Sequence, residues 1–216
     1  MGPRAILALA VAVLALAARP PARADAPITR LGLTVHVARD ASGARVLEPE
    51  ALRRWVADAS APFAGADLAF EVGREHELEP GSDVLRDNRA RHALARHLVP
   101  RTINVFVVSR IEDPRPSRAT ARAAAAQGFA PSGRLSGAHV EVRDRVPGTF
   151  VIVKAPSSPT TLSHELGHFF GAGHHPDPDN LMSYGRDRRA FDARQIAAFR
   201  HFARRYLRQR VLTPLR

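Results

Sequence analysis

Leu31, Leu33, Val35 and Val37 alternate with polar or small partners in "LGLTVHVAR", the period of a half-buried strand. "EPEALRRWVADASAPF" follows. Pro49 stands in its first turn and Leu52, Trp55 and Val56 fall on one side, which predicts an amphipathic helix. Asp67 to Val72 is a second strand, and Asn88 to Leu98 reads as a helix that stops before Pro100. "TINVFVVS" from Thr102 to Ser109 is apolar on both sides, as a central strand covered by layers on each face must be. Glu112 to Gly137, rich in Pro, Ala, Arg, Ser and Gly, is a long loop with a helical turn at Ala119 to Ala126, and loops of that length in compact domains usually serve function. "AHVEV" (Ala138 to Val142) and "TFVIVK" (Thr149 to Lys154) are strands. "FDARQIAAFRHFARRYLRQR" closes the chain as a helix with an apolar stripe of Ile196, Phe199, Phe202, Ala203 and Tyr206. Asp192 and Gln195 stand at the spacing of a capping box.

The first 24 residues break this pattern. Arg4 precedes an apolar run from Ala5 to Ala18, and Ala22-Arg23-Ala24 closes it as an A-x-A cleavage site. The run is too short to span a bilayer. It reads as a secretory signal peptide, leaving 25–216 as one domain exported to the periplasm or beyond. The 216 residues contain no cysteine, so thiolate chemistry and disulfide staples are both excluded. The chain carries a net charge of +11; the leader holds Arg4, Arg19 and Arg23 and no acid, so +8 remains without it. Lys154 is the only lysine. A basic surface suits polyanions or acidic substrates. Nucleic-acid binding is not expected, because aromatics are few and no basic helix or aromatic-studded sheet stands out.

The chemistry concentrates in "SHELGHFFGAGHHP", Ser163 to Pro176, which holds four of the ten histidines. On a helix, His164 and His168 stand one turn apart on one face. Both then reach a single metal ion at ~2.0–2.1 Å, the usual Zn–N bond length. Glu165, next to the first ligand, is placed to take a proton from an attacking water without ligating the metal. Leu166, Phe169 and Phe170 bury the rest of the helix. For His174 to join as a third ligand the chain must leave the helix and turn back under the metal. Gly171 accepts the positive φ of such a turn, and Gly173 offers a second permissive point. Three histidines leave one position of a tetrahedral zinc open, as catalysis requires.

His164-Glu165-x-x-His168-x-x-Gly171-x-x-His174 resembles the zinc signature of the metzincin metallopeptidases. That resemblance implies an α+β fold: a twisted mixed sheet with an active-site helix (25–171), then a small C-terminal subdomain (172–216) with a methionine turn and a long helix. It implies one catalytic Zn2+ on His164, His168 and His174. Glu165 would be the general base, and Met182 of "NLMSYG" the hydrophobic floor. Tyr184, two residues after Met182, matches the tyrosine of astacin-like and serralysin-like members. There it ligates zinc or hydrogen-bonds the developing oxyanion. The segment after the methionine turn walls a side-chain pocket in this clan. Here it carries Arg186, Arg188 and Arg189, which favours an acidic residue just after the cut bond. The strand 138–142 would be the sheet edge along which an extended peptide lies.

The expected protein is therefore a secreted, monomeric zinc endopeptidase acting on proteins or peptides, with no membrane span after leader removal. Two other readings use the same residues. One is a zinc-binding protein of this fold without activity, against which the intact Glu165 argues. The other is a basic, polyanion-binding exported protein with a structural zinc, closed by His175 or Asp177. His36, His76, His92, His97, His139 and His201 have no ligand spacing and are expected in the core or in solvent. Acids are too sparse for a calcium loop, and no structural ion is expected.

Overall fold

The computed structural model describes residues 28–112, 134–141, 148–185 and 187–215. The leader, most of the long loop at 113–133 and Arg186 lie outside them. A five-stranded sheet forms the frame, in the order β2-β1-β4-β8-β7. Its strands are β1 (Thr29–Arg39), β2 (Leu68–Pro80), β4 (Ile103–Val108), β8 (Thr149–Lys154) and β7 (Gly137–Glu141). The first four are parallel, and β7 runs antiparallel to β8 along one edge. The expected mixed sheet is thus mostly parallel.

The continuous apolar run of β4 has its reason in layers on both faces. Val105 and Val107 join Leu33, Val35 and Val37 of β1 and Val151 and Val153 of β8 in the larger core. Helices α1 (Pro49–Ser60), α3 (Pro159–Phe169) and α4 (Ala193–Arg208) pack there through Leu52 and Val56, Leu162 and Leu166, and Phe199 and Ala203. Phe106 and Val108 turn the other way, into a second core with Phe150, Ile152 and Val140. That face is covered by α2 (Asn88–Ala93) and by a small sheet of β3 (Val84–Leu85), β5 (Arg110–Glu112) and β6 (Arg134–Leu135).

Several boundaries differ from the sequence pattern. The first helix ends at Ser60, and Ala61–Ala66 tightens into a 3-10 turn closed by Asp67 in the left-handed region. The helix over 88–98 is α only to Ala93, with a 3-10 turn over Leu94–His97. Strand β2 runs eight residues beyond Val72, since the whole length of β1 pairs with it. The capping box of α4 is present: Asp192 accepts from Gln195 N–H, and the Gln195 side chain accepts from Asp192 N–H. Among the described residues no helix is long and apolar enough to cross a membrane.

Candidate metal centre

Helix α3 starts at Ser158, whose hydroxyl accepts from Thr160 N–H, with Pro159 at the first helical position. Layers around it leave little of it in water, so even its polar residues Ser163, His164 and Glu165 are buried. A buried polar group needs a partner. Ser163 finds one in the Ala59 carbonyl of α1 at 2.8 Å. The histidines find theirs in one another's neighbourhood. His164, His168 and His174 are the one group of metal-ligand type among the described residues, with one nitrogen of each within 4.8 Å of the others. The Nε2 atoms of His164 and His174 lie 3.1 and 3.2 Å from that of His168.

The opposite ring nitrogens decide what these short distances mean. Nδ1 of His164 is 2.7 Å from the Leu181 carbonyl, and Nδ1 of His168 is 2.7 Å from the Ala172 carbonyl. Nδ1 of His174 is 3.2 Å from the Tyr184 hydroxyl. A carbonyl only accepts, so the first two Nδ1 atoms carry the protons and donate. In neutral rings the matching Nε2 atoms then carry bare lone pairs. Burial lowers all three imidazoles, His164 to about 3 and His174 to about 4, which keeps the rings neutral at pH 7. Bare Nε2 lone pairs facing one another repel unless a cation lies between them. A tetrahedral centre with bonds of ~2.0–2.1 Å spaces its ligand atoms about 3.3–3.4 Å apart, close to the separations here. The donor set therefore fits zinc. Each imidazole's other nitrogen is anchored in the manner that fixes metal-binding imidazoles.

The chain bends to bring His174 back by a glycine. Gly171 has φ +83°, and a Cβ there would meet the Phe202 ring at 2.7 Å. Gly173 does not share the requirement. Its φ is not in the positive region, and a Cβ there would meet nothing within 4 Å. Beneath the helix lies Met182, fully buried, against Gly167, where a Cβ would stand 2.4 Å from its sulfur. The turn carrying Met182 is held by Asn180, whose Oδ1 accepts from Met182 N–H at 2.8 Å. Asn180 and Gln195 also exchange two amide hydrogen bonds, at 3.0 and 3.1 Å, tying this turn to the start of α4. Gly167, Asn180 and Gln195 carry no metal signature in the sequence. Only the capping-box spacing singles out Gln195, and for another purpose.

Glu165 is buried, and burial pushes its carboxyl group up to about 8, against the pull of the Arg188 guanidinium. Of the two expected arginines among the described residues, Arg188 reaches the centre. Its Nη1 lies 3.0 Å from Nδ1 of His164, but that nitrogen already donates to Leu181. The guanidinium's own hydrogen bond goes to the Ser183 carbonyl at 3.3 Å, and its Nε is out of water with no partner. Arg189 is exposed, and Arg186 lies outside the described residues. The Tyr184 hydroxyl sits at the Nδ1 edge of His174, away from the converging nitrogens. There it can fix the orientation of the His174 ring. His175 turns to its own neighbours: its Nδ1 accepts from Asp177 N–H, and its Nε2 lies 3.6 Å from Asp192 Oδ2. Neither it nor Asp177 belongs to the ligand group. His139, expected to be unremarkable, stacks 6.2 Å from the His168 ring with its Nε2 unpartnered and out of water.

No family model matches the chain, and no curated protein matches it. Solved structures do. The chain is similar to metalloproteinase-II from Bacteroides fragilis with a TM-score of 0.51 at 13% identity, over 81% of this chain and 53% of that one. It thus spans about half the length of that protein. A zinc-dependent peptidase from Methanocorpusculum labreanum aligns over 78% of this chain and 100% of its own, with a TM-score of 0.43 and 13% identity. The likeness to the Bacteroides protein is one of fold.

Proposed function

We propose that the chain is an exported zinc endopeptidase of the metzincin kind. The observation that carries this reading is the convergence of three Nε2 atoms whose partner nitrogens are anchored elsewhere, beside a buried glutamate. His164, His168 and His174 hold the ion. When bound, zinc supplies a Lewis acid that polarises a carbonyl and acidifies water. Glu165 takes the proton of the attacking water and delivers it to the departing amine nitrogen. Its position next to His164 and its burial support that role, since a general base must stand beside the water it deprotonates. Met182, fully buried against Gly167 of α3, fills the floor.

An extended protein or peptide substrate lies along β7, the edge strand of the sheet among the described residues and part of the expected 138–142, and pairs with its backbone. Arg188 pairs with an acidic side chain that follows the cut bond, because a half-buried guanidinium with an unpartnered Nε gains most from a carboxylate. The protein works as a monomer, without nucleic acid. Metal analysis with casein hydrolysis, with and without a zinc chelator, tests the reading. One zinc per chain is expected, lost in His164→Ala or His168→Ala. Glu165→Ala should keep zinc and lose ~10²–10⁴-fold in turnover, the range of an acid–base group. A Glu165→Ala protein with near-normal turnover would refute the assignment.

A further inference from the structure

Glu165 lies in the middle of α3, yet no hydrogen bond from another described residue fixes its carboxyl group. What meets it is the first residue of β7. A Cβ built on Gly137 would stand 2.4 Å from Oε1, 2.7 Å from Cγ and 2.8 Å from Cδ of Glu165. All three distances are shorter than real Cβ contacts, and Glu165 is buried with little space to retreat. The carboxyl group therefore rests directly on strand backbone.

The backbone at Gly137 does not itself ask for glycine. Its φ is not positive, and its neighbours pair regularly, with Gly137 opposite Val153 and His139 opposite Val151. An alanine there would otherwise be an improvement, since glycine within a strand costs conformational entropy. Space for one side chain is the remaining reason. The same face of β7 carries His139, two residues on, against His168. The edge strand thus lies over both the first base candidate and a ligand, and glycine stands where the carboxyl group needs room.

We infer that Gly137 is a positioning residue for the proposed peptidase reaction: its bare backbone is the seat that holds the Glu165 carboxyl group at its working position. The inference rests on the role proposed for Glu165. Its structural half, that Glu165 and a side chain at 137 compete for one space, is measurable without any substrate.

The test is a double-mutant cycle of Gly137→Ala and Glu165→Ala in the full chain, read as thermal midpoints in chelator and again with one equivalent of zinc. Gly137→Ala should lower the midpoint with Glu165 present. In the Glu165→Ala background it should leave the midpoint unchanged or raise it, because the methyl enters vacated space. Should Gly137→Ala alone fail to fold, folding of the double variant supports the seat and failure of both overturns it. An equal loss in both backgrounds also overturns it, since the clash would then lie with the strand. On casein-derived peptides, Gly137→Ala should retain one zinc and change KM by no more than about twofold, while kcat falls roughly tenfold or more from a misplaced base. Unchanged kcat with a normal cycle overturns the positioning role. A chain with no peptidase activity at all refutes the proposed function and still leaves the cycle readable.

Discussion

Two glycines inside one short motif should respond in opposite ways to the same substitution. Gly171→Ala forces a side chain into the left-handed region at φ +83°, which costs about 1–2 kcal/mol. Its methyl would also stand 2.7, 2.9 and 3.3 Å from three atoms of the Phe202 ring. Such overpacking adds ~1–3 kcal/mol. The combined loss is about 2–5 kcal/mol, or roughly 4–20 °C of melting temperature for a domain of this size. Metal binding should suffer with it, because the carbonyl of Ala172 just beyond the turn accepts from Nδ1 of His168, and His174 follows two residues later. Gly173→Ala meets no atom within 4 Å and needs no positive φ. It should be neutral or stabilise by ~0.4–1 kcal/mol through the unfolded chain. Urea titrations of both variants in chelator, followed by competition for zinc with a coloured chelator, measure the two effects separately. Equal stabilities within about 0.5 kcal/mol, the scatter of ordinary surface substitutions, would refute the assignment of the turn to Gly171.

Tyr184→Phe removes the hydroxyl that contacts Nδ1 of His174 and should weaken zinc by ~10–100-fold, as loss of such an orienting partner does elsewhere; a purely catalytic tyrosine would leave chelator competition unchanged. Arg188→Ala should abolish the preference for Asp or Glu after the cut bond in a peptide library, and an unchanged profile would place the arginine outside substrate recognition. His36 is buried, stacked on Phe106 and donates from Nε2 to Asn104 Oδ1; burial lowers it from 6.5 to about 4. Its folded form stays neutral where the unfolded form takes up a proton, so its contribution is complete above pH 6.5 and is lost as pH falls towards 4. Between pH 7 and 5 that amounts to about 2 kcal/mol at 1.36 kcal/mol per unit, and urea unfolding should show the wild type losing this much more than His36→Phe.

What was legible in the sequence was whatever follows from local geometry. The i, i+4 spacing of His164 and His168, the break at Gly171 and the capping box of Asp192 and Gln195 all lie within one or two helical turns, where spacing dictates neighbours. The central strand was legible because burial on both faces leaves an unbroken apolar run. Strands β3, β5 and β6 were not, being two or three residues long and too short to show a period. Gly137 and Glu165 meet across 28 positions of chain, and no pattern in either segment announces the contact. The distance of Tyr184 from Met182 suggests a zinc ligand or an oxyanion donor; its contact with His174 Nδ1 depends on how the turn is pinned by Asn180, which its own neighbours do not reveal.

Two of the three groups that orient the histidines are main-chain carbonyls, those of Leu181 and Ala172. No point substitution deletes a carbonyl. What the imidazoles need from these two positions is the path of the backbone, so the centre is exposed to insertions and deletions in the loop as well as to replacements that disturb the buried Leu181. A grafted version of the site would fail for the same reason if only the histidines were copied. The portable unit is the uninterrupted backbone from helix to methionine turn, and a mutational scan limited to side chains would overlook half of what holds the imidazoles in place.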